Sequence, residues 1–411
     1  MVATVLLSPA ARLVASRPPR SHASTPQPST ASTRGLLLRG AGSPVVKRVP
    51  GGADGEWLLW HQSGARVALS TSPDGLRWSA PLSPDPLLPS ADWWAFDTAA
   101  VRPSDVLLIS GSGASSSRRF PSSAVYWLYY TGSTDERFGL PFPAADVPAL
   151  PGLAISQDGR HWARIEGDHH SGALFGVGDE EEEPRGWEAS CVAAPKVVMH
   201  ADGDLRMYYH SFDEMSQRHA IGVARSRDGI RWSKVGKVLE GGRAGSFDER
   251  GVRHGHVVRD RAAARYVMVY EGVDADGRVS IGMAVSEDGL KGWRRCSEIP
   301  VLRPSEEHEA WDGAGVGSPC LVQMDGAYDW RLYYMGVGMD GEASIGMAYS
   351  EGQALQKFEK CDAVLMDAMK VLDKMFGWSH GFAERSFRSK INKSEGDSFR
   401  AAVRIGVAAL S

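Results

Sequence analysis

Four acidic residues of this 411-residue chain stand in one local setting, directly after an aromatic. They are Phe96-Asp97, Trp187-Glu188, Phe247-Asp248 and Trp311-Asp312. Carboxylates give and take protons, so a pair of them facing one ligand is the simplest acid–base machinery a chain can carry. Repetition at one position also fits a shared structural job, such as capping the amides of a neighbouring unit. Residues that break the surrounding pattern are therefore the sharper candidates. Arg253-His254-Gly255-His256 stands where related stretches read Gly-Ser-Pro, and Glu271 follows a Val-Tyr pair where a small or neutral residue is usual. Arg102 and Asp105 occupy the matching stretch further upstream, and Lys196 follows Pro195 in another. Histidine, arginine and carboxylate converging on one place make a pocket for hydroxyls or an anion. Trp93 and Trp94, side by side, are candidates for stacking on a flat ligand face.

These residues need elements to hold them, and the chain supplies one element many times. The phrase AIGVARSRDGIRW (Ala220–Trp232) returns as SIGMAVSEDGLKGW (Ser280–Trp293), GLAISQDGRHW (Gly152–Trp162) and RVALSTSPDGLRW (Arg66–Trp78). A worn copy, SIGMAYSEGQALQKF, spans Ser344–Phe358. Five copies predict a repeat architecture. Its first half alternates with period two, as a half-buried strand does, and Ser-x-Asp-Gly then predicts a tight turn covered by Trp. Another strand precedes each copy (WLLW, YWLYY, LRMYY, YVMVY, RLYY), and a Val-rich strand follows each aromatic–acid pair. The expected fold is all-β, a five-bladed β-propeller of four-stranded antiparallel blades. The blades are placed at about 40–90, 92–186, 187–246, 247–310 and 311–366.

The flanks differ. Residues 1–33 hold no Asp or Glu, carry Arg12, Arg17 and Arg20, and are rich in Ser, Ala, Thr and Pro. That composition predicts a transit peptide or disordered segment, with a chloroplast address ahead of a mitochondrial one. Residues 363–376 carry apolar residues at helical spacing and predict a C-terminal helical extension, within a weakly structured tail over 367–411. The formal charge is −4 with no basic cluster, and no run of 18 apolar residues occurs. Neither nucleic acid nor membrane is an expected partner. The four cysteines are scattered without metal-ligand spacing, and no metal or cofactor is expected.

The repeat, with phrases such as SRDGIRW and AWDGAGVGSPCLV, resembles the five-bladed propellers of the arabinanase/β-xylosidase and invertase/levansucrase glycosidases over about residues 40–366. The resemblance implies a carbohydrate ligand at the pore mouth, on the face opposite the Asp-Gly turns. That face carries the variable loops 131–151, 210–219, 271–278 and 335–342. It also implies that Asp97 matches a transition-state stabiliser and Glu188 a general acid, with Asp248 and Glu271 as further catalytic candidates. Arg102, Arg253, His254, His256, Asp312, Trp93 and Trp94 are the expected substrate contacts. The first inner strand, Arg39-Gly40-Ala41-Gly42-Ser43-Pro44, has no acid where the resembling glycosidases have one. Three readings follow. Another acid replaces it, a phosphate does so as in related phosphorylases, or the propeller binds glycans or protein partners without cleaving anything.

Overall fold

The computed structural model describes residues 33–361 apart from 50–55, 111–123, 144–146, 179–186, 189, 308, 325–329, 351–354 and 356. The expected transit segment and the expected helix over 363–376 lie outside the described residues. The described residues form an all-β ring of five blades. Blade I consists of Gly42–Val49, Glu56–Ser63 and Arg66–Ser72, with a bridge from Val67 to Leu87 at its outer edge. Blade II is Ala100–Ser110, Ala124–Ser133, Leu150–Ser156 and Ala163–Ile165. Blade III is Ala193–Ala201, Asp204–Asp213, Arg218–Ser226 and Ser233–Leu239. Blade IV is Gly251–Asp260, Arg265–Val273, Val279–Ser286 and Arg294–Arg295. Blade V is Gly315–Gln323, Trp330–Val337 and Ala343–Ser350. The first strand of each blade lies innermost, next to the first strands of its two neighbours.

The outer edge of blade V is filled from both ends of the ring. Leu36–Arg39 pairs antiparallel with the first half of Ala343–Ser350, and Glu359–Lys360 pairs with the second half. The N-terminal strand therefore closes the circle. Nothing in the repeat announces this four-residue strand.

Blades pack face to face, so their middle strands are buried on both sides and read as near-continuous apolar runs such as Tyr266–Tyr270. The outermost strand Ser233–Leu239 alternates instead between exposed and half-buried residues. The core is five slabs, one per blade interface. Trp60, Val101 and Tyr130 belong to the slab between blades I and II. Tyr129, Val197 and Tyr209 lie between II and III, and Tyr208, Val257 and Tyr270 between III and IV. Val269, Val316 and Tyr334 serve IV and V, and Leu59, Cys320 and Tyr333 close V onto I.

The Ser-x-Asp-Gly turns form as expected. In blade III, Ser226 Oγ accepts from Gly229 N at 2.7 Å, while Asp228 Oδ1 accepts from Ile230 N at 2.9 Å and Arg231 N at 2.8 Å. Gly229 has φ +77°, the left-handed region where a Cβ is penalised. The turns also lock blades together. Tyr129 donates to Gly229 O at 3.1 Å, Tyr208 to Gly289 O at 2.6 Å and Tyr333 to Gly75 O at 2.9 Å, while Trp60 Nε1 donates to Gly159 O at 2.9 Å. Blade V alone has lost its Asp-Gly, and blade IV, which faces it, carries Val269 in place of the donating aromatic. Both halves of that tie are missing together.

Candidate functional site

The aromatic–acid pairs hold blades II to V together from inside. Phe96, Trp187, Phe247 and Trp311 stack on Tyr130, Tyr209, Tyr270 and Tyr334 at centroid distances of 5.8, 5.9, 6.2 and 5.5 Å. The stacks sit over a strand glycine; at Gly282 an added Cβ would lie 2.5 Å from Tyr270 Cζ and 2.7 Å from Phe247 Cζ. The acid that follows accepts the tyrosine hydroxyl and a cation from the outermost strand of its own blade. Asp97 takes Tyr130 at 3.0 Å and Arg164 at 2.9 Å, and Asp248 takes Tyr270 at 3.1 Å and Arg295 at 2.7 Å. Asp312 takes Tyr334 at 3.1 Å and Lys360 at 2.6 Å. Glu188 takes Tyr209 and, at 2.5 Å, Lys234.

Asp97, Glu188 and Asp248, expected as catalytic, and Asp312, expected as a ligand contact, are thus each engaged inside a blade. All four are buried, each is tied within its own blade, and none of them lines the void or the two clefts described below. What the four share is a tyrosine hydroxyl and a cation as partners, rather than the amides of the next blade.

The pore is built by a second regularity. Each inner strand is the edge of its blade, and apart from a parallel bridge between Gly251 of blade IV and His219 of blade III its outward N–H groups need acceptors beyond the ladder. All five inner strands carry a bulge at the same place. Ser43, Ala194, His254 and Ser318 adopt φ of 47°, 53°, 51° and 44° there. Near the mouth, the residue after the aromatic pair on the second strand reaches across to the next blade's bulge. Thr131 Oγ1 accepts from Ala194 N at 2.9 Å, His210 Nδ1 from His254 N at 3.3 Å and Glu271 Oε1 from Ser318 N at 2.5 Å. One layer deeper, an inner-strand side chain reaches the next inner strand. Asp105 Oδ2 accepts from Val197 N at 3.1 Å, His256 Nδ1 from Leu321 N at 3.2 Å and Cys320 Sγ from Val46 N at 3.4 Å. His256, expected as a ligand contact, takes part in the ring's internal bonding. Burial, with Lys196 nearby, lowers its pKa to about 3, so it stays neutral and able to accept.

The mouth itself is covered. The blade II insertion after Ser133 runs through a 3-10 turn, Glu136–Gly139, and lies across the pore. Arg102 Nη2 donates to Phe138 O and Leu140 O, both at 2.7 Å, and its guanidinium lies 4.6 Å from the Phe138 ring centroid. Gln62 of blade I donates to Gly139 O at 2.9 Å. Phe142 lies 5.6 Å from the Arg253 guanidinium of blade IV. Beneath this plug the pattern-breaking residues meet. Arg253 Nε binds Glu271 Oε2 at 2.6 Å, with both side chains buried. Arg102, Arg253 and His254 line one small void of about 20 Å³ together with His210, His219 and Thr131.

Electrostatically this is two guanidiniums, one carboxylate and three neutral imidazoles. Burial and the Arg253 charge lower His219 to a pKa of about 3. Burial and neighbouring positive or histidine groups drive His210 and His254 well below the usual imidazole range. Burial also lowers Arg102 to about 10. Its Nε and Nη1, and His219 Nδ1, are buried without a partner among the described residues.

His219 and Arg253 also face outward, into an open cleft of about 730 Å³ on the variable-loop face between blades III and IV. Its other lining residues are Ser190, Phe212, Glu214, Gln217, Arg250 and Val273. The opposite pore mouth holds a depression of about 460 Å³ that includes Lys47, Asp105, His256 and Arg261. Trp93 and Trp94 line neither space; Trp93 is 89% exposed and Trp94 packs beside Gly172. Of the expected residues, the structure brings together Arg102, Arg253, His254 and Glu271. It adds His210, His219 and the cleft residues, which sequence reasoning missed. His210 had a signal, because it holds the same position after its tyrosine pair as Glu271.

No family model matches the chain. Over 161 residues it is 30% identical to an uncharacterised protein of Mycobacterium tuberculosis, a match covering 38% of this chain and 49% of that protein. The chain thus spans about half the length of the curated relative it matches. Among solved structures it is similar to a thermostable family-43 glycoside hydrolase, with TM-score 0.56, 16% identity, and coverage of 80% of this chain and 96% of that one. It is similar also to a member of the GH130 family of mannoside phosphorylases, which contains glycoside hydrolases that target β-1,2 mannosidic linkages in Candida mannan. There the TM-score is 0.52 at 15% identity, covering 83% of this chain and 96% of that one. The fold is that of the five-bladed propeller glycosidases.

Proposed function

We propose that this protein is a carbohydrate-active propeller whose saccharide ligand occupies the cleft between blades III and IV. The observation that carries this is the cleft itself. It opens on the variable-loop face, and a hydroxyl (Ser190), a carboxamide (Gln217), an imidazole (His219), arginines and an aromatic (Phe212) line it. Donors and acceptors beside an apolar ring are the chemistry that sugar hydroxyls and sugar faces require. The likeness in fold to glycoside hydrolases supports the same class of ligand.

Cleavage of a glycosidic bond is the second reading, favoured by those neighbours. Glu214 is the carboxylate lining the cleft, and an acid and a base are both needed for hydrolysis. Glu271 is fully engaged by Arg253 and by Ser318 N, which suits holding Arg253 in place more than taking a proton from water. One carboxylate among the described residues of the cleft fits binding or phosphorolysis better than hydrolysis. The test is a screen of glycosides and oligosaccharides, for binding and turnover, with and without phosphate, repeated on Glu214→Gln. Binding without turnover supports the first reading. Turnover lost about a hundredfold or more in Glu214→Gln, the scale of acid–base catalysis, supports the second. Absence of any saccharide binding contradicts both.

A further inference from the structure

The floor of the cleft has more cation than anion. Arg253 uses only Nε on Glu271, and its two amino groups have no acceptor among the described residues. Arg102 stands behind it with Nε and Nη1 buried and unpartnered, and the two arginines line the same void. Arg250, exposed, adds a third guanidinium at the rim. Among the described residues two carboxylates, Glu271 and Glu214, stand against these three, and the histidines between them carry no charge. Arg102 keeps buried donors that have lost water without gaining acceptors, which is costly, while the amino groups of Arg253 open onto the cleft. An oxyanion meets its fork with two parallel hydrogen bonds, which is the strongest pairing open to it.

We infer that the ligand of this cleft is an anionic saccharide, one bearing a carboxylate or phosphate group that docks on the amino groups of Arg253. This rests on the saccharide reading of the cleft given above. The sugar ring then lies outward, against Phe212, Gln217 and Ser190, with Arg250 closing on the charge from the rim. Arg102 adds positive potential from behind, and Glu271 holds the Arg253 fork in place.

The experiment measures binding to the full chain by calorimetry across a panel of saccharides. The panel includes oligogalacturonates and their methyl esters, hexose 1-phosphates and their parent hexoses, and inorganic phosphate alone. The acidic member of a matched pair is expected to bind about tenfold or more tightly than its neutral partner, the scale of one charge-assisted bidentate contact. That preference is expected to fall about tenfold in Arg253→Lys, which keeps the charge and loses the fork, and severalfold in Arg250→Gln. Arg250 lies at the surface, so its variant keeps the test alive should Arg253→Lys fail to fold. Equal binding of acidic and neutral partners overturns the inference and leaves the saccharide reading standing. Absence of binding across the whole panel of saccharides overturns both. Binding of inorganic phosphate alone, without any saccharide, overturns the inference in favour of a free-anion site.

Discussion

At the scale of single residues, a carboxylate's neighbours decide what it can do. Asp312 is buried between Tyr334 and Lys360, whose side chain is itself 15% exposed. Removing one member of such a buried pair leaves the other charged and unpaired. Asp312→Asn is expected to lower stability by about 3 kcal/mol in denaturant unfolding and to leave ligand affinity unchanged at temperatures where the variant is folded. A loss below about 1 kcal/mol would contradict the structural role. The histidines give a second test. His219 and His256 titrate near pH 3 in the folded chain and near 6.5 once unfolded. Between those values the unfolded chain binds more protons, so stability is complete above about pH 6.5 and falls as the pH drops. The melting temperature should decline from pH 6.5 towards pH 4, before most carboxylates are protonated; a flat profile over that window would mean that these imidazoles are not held neutral.

At the scale of elements, the strand–turn–Trp unit was legible because it is written five times. The pairing of Ser, Asp and Gly in its turn follows from local chemistry alone. Trp232 packs edge-on against Tyr129 at 6.0 Å and donates to Gly229 O at 3.0 Å. Trp232→Ala should therefore cost about 3 kcal/mol, and a loss under about 1 kcal/mol would mean that the ring is not part of the blade interface. The strand glycines were legible as a repeat but not as a cause, because what they make room for comes from a distant aromatic. Gly282→Ala must push Phe247 off Tyr270 and should cost about 2 kcal/mol or more. Gly139→Ala, with nothing within 4 Å of the added methyl, should change stability by less than about 0.5 kcal/mol. The site was half legible. Departures from the repeat pointed to Arg253, His254 and Glu271, which do meet. The plug, the bulges and the reach of each side chain into the next blade depend on how blades face one another, which no single repeat records. That is why His256 read as a ligand contact and the acids as a catalytic set.

At the scale of the whole molecule, one short segment closes the ring. Leu36–Arg39 carries three leucines and an arginine, too few residues for a periodic signal and without a copy elsewhere. Its place on blade V explains why the repeat begins one strand late. A chain starting at residue 41 should melt well below one starting at residue 33, because it loses that strand and opens the outer edge of blade V. Equal melting of the two would mean that the strand does not close the propeller. The same strand constrains processing. If the acid-poor start is a plastid address, N-terminal sequencing should place the mature terminus before Gly35, and a mature protein beginning at Met1 would count against that address. Everything said of the site turns on where a ligand sits. A crystal structure of the full chain soaked with a saccharide that binds it measures this directly. The sugar is expected between blades III and IV, against Arg253, His219 and Gln217; a sugar seated at Lys47 and Asp105 on the opposite mouth, or on Trp93 and Trp94, would contradict that placement.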